Sequence, residues 1–574
     1  MLIHLSDLAP VLKRIRDWAV LVFLSVQIYG TAAPAEHVSP TNAPGRDLQS
    51  ETATNTGSVC FPRILLDTGG LPIVGRERIS ALMTVTNPQR IKAGREIESA
   101  SNHRVGIAVR GSGSMTFPKT SFRVELWDKE ARDTKVSLLG LPAESDWILL
   151  AAYADRTLMR DVLAYELWRQ LGYYAPRWRH VELFIRTNAA SRPQPDPLLQ
   201  GKDADQRTTL ETTEMGDYAG IYILVEKIKR GTKRLDIKKL KPEHNREPEL
   251  TGGYIFKKDR GNPGEQGFRS PRGIQFAYEE PKERKITPAQ VNYLTNYIRE
   301  LEEVLFSRRF QDPTNGYAKY IDVDSFIDYH WVIEVTKNVD AHWFSQFFYK
   351  DRGGKLKAGP VWDWDMGFGN AAFHQGTRTN GWRWEQVKGA YYAWYDRLFE
   401  DEEFLQRYID RWAELRQTVF ANSNVLARID DLAGELDSAA TRNHALWYPS
   451  RNAAERNRAA GRQFQNAVRI MREWIEGRLA WIDSQDFPPP VTQIVRDPTN
   501  ASSKLALTGQ TGKIHFTTDG SDPRLRGGAV SPSAKRYVEP IPLATNTVIA
   551  ARVRSDYGLW SAPLKVNGND VGQE

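Results

Sequence analysis

The strongest constraint on this 574-residue chain is a change of periodicity along its length. Up to residue 257 the apolar residues recur in short, mostly alternating runs, as in RILL, LMTVT, RVGIAVRG and SFRVEL. Such runs, separated by turn signals like Asp67-Thr68-Gly69-Gly70, predict strands. The segments 104–126, 180–185, 219–225 and 253–257 belong to this set, and 104–126 predicts two antiparallel strands around a Gly/Ser connection. One helix, 157–172, interrupts them and stops at Gly172. From Pro288 the spacing turns helical: Phe404, Tyr408, Trp412, Leu415 and Val419 share one face, and Ile470, Trp474, Ile475, Leu479 and Ile482 another. Strands followed by helices give an α+β order. Pro488-Pro489-Pro490 then remove three consecutive backbone donors and set a domain boundary. Only short strand and turn patterns follow, which predicts a small all-β sandwich over 488–574.

The N-terminus has its own logic. Lys13, Arg14 and Arg16 precede the uncharged run WAVLVFLSVQIY and then Ala33-Pro34-Ala35. A basic stretch, a short apolar stretch and a small-x-small site form an export signal over 1–35, cleaved after Ala35, although an uncleaved anchor is the alternative. Cleavage removes three basic and two acidic residues, so the formal charge falls from +7 to +6. Residues 36–58, rich in Pro, Thr, Asn and Ser, form a flexible leader. The main domain is then 59–487, secreted, periplasmic or on the cell surface, with no membrane span after processing. The well-mixed charge speaks against a nucleic-acid partner. Cys60 is the single cysteine, which excludes an internal disulfide framework and any cysteine-cluster metal site, so packing holds the fold.

Two stretches carry chemistry. In the first, an apolar helix ends in Asn338-Val339-Asp340-Ala341-His342, a strand and a Gly turn follow, and then WDWDMGFG places Asp363 and Asp365 around Trp364. Carboxylates beside glycine suit a hard divalent cation, and Asp340 suits a base that takes a hydroxyl proton. In an extended D-W-D the two acids point to opposite sides, so one of them is expected to face a site. Solvated turn acids are the plainer alternative. In the second stretch, Arg110-Gly111-Ser112-Gly113-Ser114 joins two strands and is followed by Lys119 and Arg123. A Gly/Ser loop with free amides cradles phosphate oxygens and the cations neutralise them, unless the loop is a hairpin and nothing more.

These stretches and their neighbours resemble the CotH kinase family, named for a spore-coat protein. The marks are RGSGSMTFPKTSFRVEL (110–126), DWILLAAYADRTLMRDVLAYELWRQLG (146–172), GDYAGIYILVEKIKR (216–230), GGYIFKKD (252–259), NVDAH and WDWDMGFG. The resemblance covers 62–482. It implies a diverged protein-kinase-like fold that moves the γ-phosphate of ATP to a secreted or surface protein with Mg²⁺, or Mn²⁺ in its place. It gives the 110–114 loop, with Arg110, Gly111, Ser112 and Ser114, to the phosphates. Lys119 and Arg123 become phosphate cations, Glu226 or Lys227 lies near the adenine hinge, Asp340 is the base, and Asp363 or Asp365 holds the metal with Asn338 assisting. Departures are plain: no H-R-D precedes the base, no D-F-G follows it, and no Asn lies a few residues beyond Asp340.

The alternative is a catalytically idle extracellular protein that binds protein or glycan on the same scaffold. A glycoside hydrolase is weaker, because nothing fixes a carboxylate separation. Trp382, Trp384, Tyr391, Tyr392, Trp394 and Tyr395 form either a substrate platform or core packing. The C-terminal segment resembles the small β-sandwich that ends chitobiases and hexosaminidases, where Tyr557 and Trp560 either touch glycan or pack on the main domain.

Overall fold

The computed structural model describes residues 61–89, 97–186, 217–259, 267–387, 389–450, 455–485, 488–496, 503–509 and 512–569. The expected export signal, the leader, Cys60 and residues 187–216 lie outside them. Among the described residues no helix is long and apolar enough to cross a membrane.

The first half closes a barrel. Strands β1 (Arg63–Asp67), β2 (Ile79–Gln89), β3 (Ile97–Arg110), β4 (Ser121–Trp127) and β5 (Asp146–Leu150) follow one another. Helix α1 (Arg160–Gln170) comes next, then β6 (Trp178–Arg186) and β7 (Asp217–Glu226). The order around the barrel is β1-β2-β3-β4-β5-β7-β6. All neighbours are antiparallel except β6 and β1, which close the barrel in parallel. Alternation supplies the interior: Ile64, Leu66, Val105, Ile107, Val124, Trp147, Leu149, Val181 and Leu183 are buried together.

Beyond β7 lie β8 (Tyr254–Lys258), β9 (Gly267–Arg269) and β10 (Gln275–Glu280), then α2 (Pro288–Leu305) and α3 (Val323–Thr336). Thr287 and Gln290 cap the start of α2 reciprocally, with Pro288 at its first position. Asp322 caps α3 by accepting from the Ser325 N–H, and left-handed Lys337 ends it. A hairpin of β11 (Gln346–Lys350) and β12 (Leu356–Ala358) joins the earlier strands in a second sheet, β12-β11-β8-β10-β9. The helices α4 (Ala393–Leu398), α5 (Glu402–Gln417), α6 (Asn422–Trp447) and α7 (Arg456–Gln485) complete the large core. The α+β order therefore holds. The expected apolar faces are buried with one difference: Ile470 is 46% exposed and its neighbour Met471 takes the inward position. Of the aromatic run, Tyr392, Trp394 and Tyr395 are buried in the core, which favours packing over a platform.

The C-terminal module consists of two small sheets. One holds β13 (Val491–Arg496), β14 (Ser503–Thr508) and β17 (Ile541–Pro542); the other holds β15 (Lys513–Thr517), β16 (Lys535–Arg536), β18 (Val548–Arg554) and β19 (Leu564–Asn567). They share a core of Leu505, Leu507, Phe516, Ile541, Ile549 and Ala551. The module is bolted to α5. Arg552, buried, bridges Asp410 of α5 at 2.6 Å and Asp522 at 2.7 Å. Trp560 is buried and donates its indole N–H to the Gly528 carbonyl, so it packs, while Tyr557 is exposed.

Candidate active site

Asp155 folds the entry to α1. Its carboxylate accepts from the N–H groups of Thr157, Met159 and Arg160 at 2.9–3.0 Å and pairs with the Arg160 guanidinium. This fixes the first turn of α1, where Asp161 sits, with Tyr165 one turn further on the same face.

The turn after α3 is held from below. Arg383, fully buried, donates to the carbonyl of Val339 at 2.6 Å and of Asn338 at 3.3 Å. Its own backbone N–H donates to the Glu334 carboxylate at 2.7 Å, and Glu334 pairs with buried Arg478 at 3.2 Å. The Asn338 side chain accepts from the Asp340 N–H at 3.2 Å and donates to the Asp363 carbonyl at 3.1 Å. Asp340, half-buried, is thereby set beside the D-W-D turn.

At that turn Asp363 has φ +67°, a left-handed conformation that a β-carbon disfavours. Seven of the eleven left-handed non-glycine residues described lie between 337 and 375, a concentration typical of functional sites. The positive φ breaks the extended alternation. Trp364 alone turns inward, donating its indole N–H to Thr336 at 2.8 Å and its backbone N–H to Asp161 at 2.7 Å. On either side of it Asp363 is exposed and Asp365 half-buried. Burial and the charges of Asp363, Asp161, Asp155 and Asp340 push the Asp365 carboxyl well above the carboxylate range. Burial and Asp363 push Asp161 up to about 7. Asp363 is exposed to solvent and accepts from the Ser345 hydroxyl at 3.1 Å. Carboxylate oxygens are the kind of donor that a hard divalent cation takes.

Across from the acids stands Arg110, its guanidinium 5.3 Å from the Trp362 ring centre. Burial lowers its pKa while Asp363 and Asp161 counteract. The Gly/Ser loop beyond it runs through Ser112 and Ser114 with Ser112 exposed. Gly111 has φ +125°, and a Cβ there would meet Ser114 Oγ at 2.2 Å, so this tight turn needs glycine. Exposed Arg76 donates to the Gly111 carbonyl at 3.0 Å, and Arg123 donates to the Arg76 carbonyl.

Three candidates lie apart from the cluster. Lys119 is 2% exposed; its ammonium donates to the Ile221 carbonyl and to Asn443 on α6 and lies 4.6 Å from the Tyr222 ring centre. Glu226 is fully buried in pairs with Arg177 and Arg234. Lys227 reaches Glu279 at 3.6 Å. Against the upward push of burial, Lys227, Lys282 and Lys257 hold Glu279 at about 2, and Glu279 in turn acts on Arg110. Asp161, Tyr165, Ser345 and Arg383 were not singled out in the sequence. The one signal for them is the helical spacing of Asp161 and Tyr165; the others are brought in by the fold. Elsewhere, His330, Glu334 and His342 place ligand atoms within 4.8 Å of one another. The His330 ring is bonded on both sides by the Tyr408 and Tyr392 hydroxyls, and Glu334 faces Arg478, so this group is committed to the core.

Comparison with protein-family models gives two matches. The one described as CotH kinase protein spans residues 107–482, which contains Arg110, Asp161, Asp340, Asp363 and Asp365. The one described as Fn3 associated spans 504–562, the module for which the sequence resemblance pointed to a chitobiase-like sandwich. No curated protein matches the chain.

Proposed function

The chain belongs to the CotH kinase protein family, and from that footing we propose that it is an atypical protein kinase that moves the γ-phosphate of ATP to a hydroxyl of a secreted or surface protein. The observation that supports this reading is that the Asn338 side chain ties the Asp340 N–H to the Asp363 carbonyl, while Arg110 lies over the ring of Trp362, the neighbour of Asp363. A base, a strand hairpin and a metal acid in this order are the parts that protein kinases use. Ser345 stands five residues beyond Asp340, where those enzymes carry a metal-binding Asn, and its hydroxyl binds Asp363. Asp363 is therefore assigned as the principal metal carboxylate and Asp365 as its neighbour. A divalent cation, when bound, neutralises charge on the phosphate oxygens. Arg110 and the 111–114 loop bind and orient the phosphates. In the transfer, the acceptor oxygen bonds to the γ-phosphorus, the bond to the ADP oxygen breaks, and the hydroxyl proton passes to the Asp340 carboxylate. The basic and apolar N-terminal segment supports export, and hence an exported acceptor.

A catalytically idle binding protein is the second reading, favoured by Lys119, which is engaged away from the acids. The two are separated by transfer of labelled γ-phosphate to total secreted protein, with Asp340→Ala and Asp363→Ala beside the native chain. The kinase reading expects labelling by the native chain alone. Equal background labelling in all three would overturn it and leave the binder.

A further inference from the structure

The hydroxyl of Tyr165 is fully buried and has no hydrogen-bond partner in the protein. A buried hydroxyl without a partner costs stability, so its retention calls for an explanation. Its surroundings are specific. The Tyr165 ring stacks on Trp362 at 6.0 Å, and the Arg110 guanidinium lies over that same Trp362 ring. Asp161 sits one turn back on α1 and binds the D-W-D turn through Trp364. The charges of Asp161, Asp363, Arg110 and Asp365 all act on the hydroxyl. The hydroxyl is thus buried without a partner on a ring stacked against Trp362, the neighbour of Asp363.

We propose that Tyr165 is a ligand-binding residue whose hydroxyl donates to an anionic oxygen only when a divalent cation occupies the acid cluster. This rests on the cation part of the kinase reading and not on phosphoryl transfer. The oxygen belongs either to a carboxylate that the cation draws in or to a phosphate that the cation carries.

The test uses the full chain and Tyr165→Phe, with Asp363→Asn as a control, and reads binding without any transfer. Titration with Mn²⁺ alone and with Mn²⁺ plus inorganic pyrophosphate separates the two oxygen sources. Thermal unfolding of the free protein is measured in parallel. The expected result is an unchanged or raised melting temperature for free Tyr165→Phe, because no bond is lost, with binding weakened about fivefold or more. Weakening in both arms assigns the oxygen to a carboxylate; weakening in the pyrophosphate arm alone assigns it to phosphate. Native-like binding in both arms, with Asp363→Asn impaired, overturns the proposal and spares the cation reading. A melting temperature that falls while binding holds also overturns it, since the hydroxyl would then be structural. If the native chain binds no Mn²⁺ in either arm, proposal and cation reading fall together, and the labelling assay still decides transfer separately.

Discussion

Asp161 accepts a 2.7 Å hydrogen bond from the backbone N–H of Trp364, 203 residues further along the chain. That bond ties the first turn of α1 to the centre of the D-W-D motif. The Trp364 indole is fixed at the same time to Thr336 at the end of α3. One buried tryptophan therefore sets α1, the turn bearing Asp340 and the paired acids against one another.

The same bond carries a pH dependence. Asp161 is pushed up to about 7 from an ordinary 3.8, so the folded state prefers the protonated acid. The cost of ionising it is absent below pH 3.8, grows as pH rises, and is complete above about 7, reaching up to about 4 kcal/mol. Asp161→Asn keeps the acceptor for Trp364 and removes the charge. Its free form should melt above the native chain at pH 8 and converge with it near pH 4. Thermal unfolding across that range checks the prediction, and parallel curves would refute it.

Arg383 is the support of the Asp340 turn. Arg383→Met leaves the carbonyls of Asn338 and Val339 buried without their donor. The expected loss is about 2–4 kcal/mol of stability. Urea unfolding should show a lower midpoint at unchanged slope. In a transfer assay the kinase reading expects kcat to fall more than KM rises, since the turn carries the proposed base Asp340.

Arg552 locks the C-terminal module to α5 through Asp410 and Asp522. Arg552→Met should cost about 2–4 kcal/mol, because two partly buried carboxylates lose one shared cation. The measurable outcome is a separate, earlier unfolding transition of the module and faster proteolytic cutting near residues 488–503. A single transition at the native temperature would show that the lock is dispensable.

Gly111→Ala tests the proposed phosphate role of the 110–114 loop. The added methyl would sit 2.2 Å from Ser114 Oγ at φ +125°, so the loop must move. The loop is on the surface, and the fold should lose no more than about 1–2 kcal/mol. Stabilisation of the chain by Mg-ATP, read as a shift in melting temperature, should shrink by at least half.

Parts of this site were legible in the sequence because the motif residues are local. Asp340, Asp363, Asp365 and Arg110 lie in short blocks whose residue types suggest a chemistry, and the Asn338 bridge sets the Asp340 turn against Asp363. Lys119 shows the limit. A lysine after a Gly/Ser loop suits phosphate, yet a neighbouring carbonyl and Asn443, 324 residues away, engage it in the interior. The D-W-D pair shows another: alternation holds only for extended backbone, and the positive φ of Asp363 cancels it. Trp560 was open between glycan and packing, and only the position of α5 and Gly528 turns it inward.

The sequence by itself determined the α+β order, the break at Pro488–Pro490, the export-like N-terminus and the residue types available for chemistry. Those properties depend on periodicity, on proline's missing donor and on composition, all of which act over a few residues. The tertiary structure alone decided that the strands close into a barrel through the parallel β1–β6 contact. It alone brought Asp161 and Tyr165 to the acids and placed Arg383 and Glu334 beneath Asp340. The physical reason is range. Closure, burial and carboxylate repulsion depend on distances between segments up to hundreds of residues apart, and no local pattern encodes them.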